Sequence, residues 1–273
     1  TYLFFSLTIF GHGCNPSGTL RQGTGCMKVI AIYNIKGGVG KTASAVNLAY
    51  LASLDGSRTL LWDLDPQGAA SFYFKVKAKI KGGSRKLVTG KSNVDDAIHH
   101  TDYPNLDLLP ADFSNRNLDI FLDQTKKPEK RLQKVIKPLA NDYNYVFLDC
   151  PPSISSVSES VFAAADILLI PTIPTTLSLQ TFQQIMKFFS KENYDSLQLV
   201  PFFVMVDRRK QMHRLIVSKP PAMMSNVLET TIPYASEVER MGIHRSPVST
   251  FAYHGKAAQS YVELWDEIQS NIL

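Results

Sequence analysis

Nine consecutive residues carry the most specific chemistry in the chain: Asn34-Ile35-Lys36-Gly37-Gly38-Val39-Gly40-Lys41-Thr42. The stretch satisfies G-x-x-x-x-G-K-[ST] in altered form, with an early lysine, Lys36, at its opening. Gly37, Gly38 and Gly40 let the backbone wrap closely and turn its N–H groups inward, which makes an anion nest. A helix beginning at Lys41 adds the partial positive charge of its N-terminus. Lys41 can then reach the outer phosphates of a nucleotide, and the Thr42 hydroxyl is a suitable ligand for Mg²⁺. A glycine-rich turn that merely joins strand to helix is the bland alternative. The context argues against it: an apolar, β-branched run, Lys28–Tyr33, precedes the loop and a helical stretch, Lys41–Leu54, follows it.

Such a loop must be held by a sheet, and the pattern supplies one. Thr59–Asp63, Asn105–Pro110, Tyr145–Asp149, Ile167–Pro171 and Leu199–Val206 are further short apolar runs without polar alternation. Runs of this kind suit strands buried on both faces of a parallel sheet. Helical patterns fall between or after them at Lys127–Asn141, Ser153–Ala164, Leu177–Lys191 and Lys256–Ile272. The alternation predicts an α/β, doubly wound, mostly parallel sheet flanked by helices, with the chemistry in the loops at the strands' carboxyl ends.

The composition agrees. The chain has 273 residues, 44% hydrophobic and 19% charged, too apolar for disorder and too mixed for a coiled coil. A net charge of +5 permits an anionic partner without demanding one. Three cysteines form no disulfide framework, which points to a reducing, cytoplasmic setting. Residues 1–26 differ from the rest: an apolar run, TYLFFSLTIF, then a Gly-rich polar stretch. The run is too short to span a bilayer as a helix and lacks a preceding basic segment. It reads as a non-native or disordered leader, or else as an anchor for a membrane or partner, before one domain over residues 27–273.

Beyond the loop, the chain resembles the ParA/MinD family of deviant Walker A ATPases. Lys36–Thr42 (KGGVGKT) resembles the family's signature loop, Leu60–Gly68 (LLWDLDPQG) its second strand and switch, and Tyr145–Ser153 (YVFLDCPPS) its Walker B segment. Thr231-Ile232-Pro233 resembles the late strand whose loop lines the nucleotide base. The resemblance covers the chain from Met27 onward and lies nearer the ParA branch, with orphan, cargo-positioning ParA proteins as the subgroup. It implies ATP and Mg²⁺ as cofactors. Asp65 then orients the attacking water, while Asp63 and Asp149 stand with Thr42 around the metal. Lys36 reaches across a nucleotide-sandwich homodimer to the partner's phosphates, as an arginine finger does in trans. Val39 and Ala43 join the loop's nucleotide contacts, and Asp207 and Pro233 are the expected base contacts. Taken alone, Asp63 or Asp149 would be an ordinary cap or strand-end residue; their spacing relative to the loop argues otherwise.

The same resemblance implies non-specific DNA binding, nucleoid association in the ATP state, and an adaptor on the cargo that stimulates slow hydrolysis. Two basic segments are candidates for the DNA contact. From Pro66 to Asn93 there is no acid, while Lys75, Lys77, Lys79, Lys81, Arg85, Lys86 and Lys91 are all basic. The first four would share one face if that segment were extended. The second candidate is Asp207–Arg214, with Arg208, Arg209, Lys210 and Arg214. One departure from the family stands out: after Pro233 come Glu237 and Glu239, where a basic DNA-contacting pattern is expected.

Other readings of the same fold are a metallocluster carrier or reductase and a nucleotide-gated scaffold with little turnover. The first is short of ligands, since Cys150 is the single cysteine after residue 26 and a buried small hydrophobe is its simpler role. A related tyrosine kinase lacks its closing tyrosine cluster. Membrane attachment by a basic C-terminal helix is not expected, because Glu263, Asp266 and Glu267 face only Lys256 there. Tyr261, Val262, Leu264, Trp265 and Ile268 are read instead as packing on the core.

Overall fold

The computed structural model describes residues 27–192, 194 and 196–273. The leader, with Cys14 and Cys26, lies outside the described residues. Eight strands form one sheet: β1 (Lys28–Ile32), β2 (Thr59–Asp63), β3 (His99–His100), β4 (Leu106–Leu109), β5 (Tyr145–Asp149), β6 (Ile167–Thr172), β7 (Gln198–Val206) and β8 (Thr231–Pro233). Their spatial order is β3-β4-β2-β5-β1-β6-β7-β8. All neighbours run parallel except the short β3–β4 edge pair. This is the doubly wound arrangement that the apolar runs predict.

The two-residue period of each strand feeds two separate cores. Val29, Ala31, Val146 and Leu148 pack toward one face; Ile30, Ile32, Leu61 and Phe147 pack toward the other. The first face is covered by α4 (Leu118–Asp123), α5 (Arg131–Ile136), α6 (Ser156–Ala164) and α7 (Thr176–Phe189). The second is covered by α1 (Lys41–Leu54), α9 (Ser236–His244) and α10 (Lys256–Asn271). In α10, Tyr261, Leu264, Trp265 and Ile268 are buried, a stripe at helical spacing. Val262 does not pack there: it is 36% exposed, because the spacing that buries Tyr261 and Leu264 turns residue 262 outward. No described helix is long and apolar enough to cross a membrane.

Three predicted elements change form. Lys127–Asn141 breaks into a 3-10 turn, α5 and a second 3-10 turn, because Pro138 cannot donate the hydrogen bond that would continue the helix. The stretch Ser153–Ala164 starts as helix only at Ser156, where the Ser155 and Ser158 side chains form a capping box. The Lys75–Lys81 segment is not extended. It leaves α2 (Ala69–Tyr73) through Lys75 in the left-handed region, and the Val76 N–H returns to the Ser71 carbonyl. All four lysines are exposed, yet they form no strand face. The short helices α2, α3 (Gly83–Val88), α4, α8 (Gln211–Ser218) and α9 lie outside the predicted set.

Candidate active site

The loop leaves the central strand, and its conformation follows from its residues. Asn34 is buried and braces it: its side-chain N–H donates to the Pro171 carbonyl at 2.9 Å, and its oxygen accepts from the Lys36 N–H at 2.9 Å. Gly38 and Gly40 hold φ of 70° and 78°, a region that costs any residue with a side chain. Gly40 stands directly before α1, so the free N–H groups of that helix open into the loop. Lys41 is only 7% exposed, and its ammonium donates to the Lys36 carbonyl at 3.2 Å, folded back over the loop. Burial lowers its pKa, while the Asp149 carboxylate pulls in the opposite direction.

Asp63 and Asp149 end neighbouring strands and sit opposite each other in register. The end of β1, Ile32, is level with Asp149, so three strand ends stand abreast below the loop. Both carboxylates are fully buried. Asp63 Oδ2 accepts from the Ser71 N–H at 2.8 Å and from the Ser71 hydroxyl at 2.7 Å. Asp63 Oδ1 and both oxygens of Asp149 have no hydrogen-bond partner. Burial pushes the Asp149 carboxyl well above the usual carboxylate range, and Asp63 beside it adds to the rise. Burial likewise pushes Asp63 up to about 6. Isolated buried carboxylates are costly, and an apolar core would not keep two of them without a use. The donor set, two carboxylates and the neighbouring Thr42 hydroxyl, suits a hard divalent cation, which takes oxygen ligands.

Asp65 lies two residues past β2 and is partly buried. Its Oδ1 accepts from the Gln67 N–H at 2.9 Å and its carbonyl from the Gly68 N–H at 2.9 Å, so the DPQG stretch is a side-chain-stabilised turn. Lys36 behaves differently from Lys41. Its ammonium lies 3.3 Å from the Ser178 hydroxyl, in the first turn of α7. Leu177, next to Ser178 in the chain, is 67% exposed.

A model of the AAA domain family matches residues 27–198. The chromosome partitioning protein ParA of Caulobacter vibrioides is 30% identical over 253 residues, covering 89% of this chain and 94% of that protein. The chain belongs to the ParA/MinD family of P-loop ATPases. The sporulation initiation inhibitor protein Soj of Bacillus subtilis is 29% identical over 250 residues, covering 89% of this chain and 99% of its own length. In fold, the chain is similar to the ATP complex of a Cyanothece McdA variant, with a TM-score of 0.77 and 20% identity over 90% of this chain and 97% of that one.

In this family member, Asp207 and Pro233 meet in one cleft. Val206 and Pro233 are in register at the ends of β7 and β8, and the cleft beyond them, about 450 Å³, is lined by Asp207, Arg209, Tyr234 and Lys256. Met205, with φ of 52° at a bulge in β7, reaches the loop: a Cβ on Gly40 would lie 3.9 Å from its methyl group. Arg209 grips Asp207 with two hydrogen bonds, at 2.9 and 3.0 Å, which holds the Asp207 carboxyl down at about 2. It is thus a wall of the cleft. Lys75 is paired with Asp102 at 3.2 Å. Among the described residues Lys77, Lys79, Lys81, Arg208, Lys210 and Arg214 make no ion pair. Of the acids after Pro233, Glu239 accepts from the Tyr234 hydroxyl at 3.0 Å in the first turn of α9. Cys150 is buried and donates to the Leu148 carbonyl, and burial pushes its thiol well up.

Ser71, Ser178 and Met205 are site residues that sequence reasoning missed. Ser71 does the most: its hydroxyl donates to Asp63 and accepts from the Ala111 N–H at 2.9 Å. Ser71→Ala is expected to lower stability by about 1–3 kcal/mol, the cost of leaving buried polar partners unmatched. Urea unfolding of the nucleotide-free protein measures it, and an unchanged midpoint would refute this role.

Proposed function

We propose that the chain is an ATP-driven, ParA-type switch. It dimerises around ATP, holds DNA without sequence preference, and releases when an adaptor on its cargo stimulates hydrolysis. The observation that carries this reading is the pair of buried carboxylates, Asp63 and Asp149, level with the phosphate loop and left with three unpartnered oxygens. The kinship with proteins named for chromosome partitioning supports the cargo role.

In this reading Thr42, Asp63 and Asp149 hold Mg²⁺, directly or through water, and the ion would neutralise charge on the phosphate oxygens. Residues Gly37–Ala43 bind the phosphates through backbone N–H groups, and Lys41 adds a fixed positive charge. Asp65 orients the attacking water from a turn whose few hydrogen bonds allow it to move. Lys36, whose ammonium lies beside Ser178 and the exposed Leu177 that precedes it, reaches the partner subunit's nucleotide. Asp207 and Pro233 frame the base cleft. Lys77, Lys79, Arg208, Lys210 and Arg214, without carboxylate partners among the described residues, contact DNA phosphates, an interaction that weakens steeply with salt. Such a protein is cytoplasmic, and on the nucleoid while ATP is bound.

The test is binding to mixed-sequence DNA with and without ATP. Wild type binds only with ATP, Asp65→Ala stays bound, and Lys36→Ala fails to bind. Equal binding with and without nucleotide would refute the switch.

A further inference from the structure

Two cavities share Ser92 and Asn93 as a common rim, one between α3 and α5 and the other beside α3. The first, about 270 Å³, has walls of Leu87, Val88, Val94, Val135 and Pro138. The second, about 390 Å³, is lined by Lys81, Lys86 and Lys91, with Asp96 as its one acid. Arg131 and Lys134 add two more cations on the first cavity's side. Among the described residues none of these five cations makes an ion pair. Two polar atoms of the first cavity's lining residues, Ser92 Oγ and Arg131 Nε, are buried without a hydrogen-bond partner. Both atoms lie beneath the cavity surface, while the Arg131 guanidinium donates outward to the Lys126 carbonyl at 3.1 Å.

We infer that this cleft binds an acidic peptide segment that carries an apolar side chain. The apolar cavity takes the side chain, and the lysine-lined cavity takes the neighbouring carboxylates. Charge complementarity argues for the acid: five cations face one carboxylate. The apolar cavity argues against duplex DNA as the occupant. A phosphate backbone is read by exposed cations and has nothing apolar to insert into a pocket walled by Leu87 and Val135. The inference is independent of the nucleotide switch, since none of these residues belongs to the loop or its carboxylates.

Fluorescence anisotropy with the full chain tests it. The probes are a labelled Asp/Glu-rich peptide with one leucine, the same peptide with serine for leucine, and a mixed-sequence DNA duplex, each with and without ATP. The leucine peptide is expected to bind in both conditions. The serine peptide binds about tenfold more weakly, the scale of one lost buried side chain. The exposed double variant Lys86→Glu/Lys91→Glu loses about tenfold or more, whereas Lys219→Glu, outside the cleft, leaves binding unchanged. Absence of peptide binding overturns the inference. Equal binding of both peptides, or equal loss in Lys219→Glu, reduces it to general charge attraction. A duplex that displaces the peptide and is itself weakened by Lys86→Glu/Lys91→Glu reassigns the surface to DNA.

Discussion

Asp149→Asn is expected to raise the melting temperature of the nucleotide-free protein and to lower its ATP hydrolysis steeply. The two effects have one cause. The Asp149 side chain is 0% exposed and neither oxygen has a hydrogen-bond partner, so the folded chain bears the cost of desolvating a carboxyl next to a second carboxyl. Burial and the Asp63 charge both oppose its ionised form. A neutral amide of the same shape removes that repulsion. The expected gain is about 1–3 kcal/mol, within the range for relieving a buried charge, or a rise of roughly 5 °C for a domain of this size. Function moves the other way. An amide is a poor ligand for a hard cation, and the loss of charge beside Thr42 is expected to lower hydrolysis by about a hundredfold or more. Calorimetry with and without Mg-ATP separates the terms: wild type gains stability on adding it, and the variant does not. A variant that is less stable and still hydrolyses ATP would overturn the assignment of Asp149 to the metal.

The sheet and the loop were legible because each is local. Leu60–Trp62 and Tyr145–Leu148 are unbroken apolar runs, and the strands that contain them, Thr59–Asp63 and Tyr145–Asp149, occur with the expected bounds. The glycines at 38 and 40 announce left-handed backbone by their type alone, and both adopt it. What the sequence hides is distance. Ser178 meets Lys36 across 142 positions and Ala111 meets Ser71 across 40, and a serine in a helix looks the same whether or not it has such a partner. The even spacing of Lys75, Lys77, Lys79 and Lys81 misled for a related reason. A period describes a face only if the backbone is regular, and here the Val76 N–H turns back to Ser71. Likewise Arg209 reads as a free cation in a basic run, but the fold places it against Asp207 in the cleft wall.

The two lysines of the loop are expected to fail in different ways, and the difference tests the dimer. Lys41→Ala removes nucleotide binding in the single chain. Its ammonium is buried inside the loop, 3.2 Å from the Lys36 carbonyl, and no other cation occupies that position. Lys36→Ala keeps binding, because its ammonium faces the Ser178 hydroxyl at 3.3 Å and not the centre of its own loop. Its charge is available at the edge of the site, where a second subunit would approach. The loss then appears in two coupled readings: ATP no longer drives dimerisation, and hydrolysis falls by about a thousandfold, the scale of a charge supplied in trans. A fluorescent ATP analogue measures the first lysine's effect, and sedimentation with ATP measures the second's. Mixing decides between them. Lys36→Ala combined with a nucleotide-binding-defective Lys41→Ala chain places the one intact Lys36 opposite the one intact phosphate site. Such a mixture is expected to recover part of the hydrolysis that neither variant shows alone. If Lys36 acted on its own subunit's nucleotide, mixing would restore nothing.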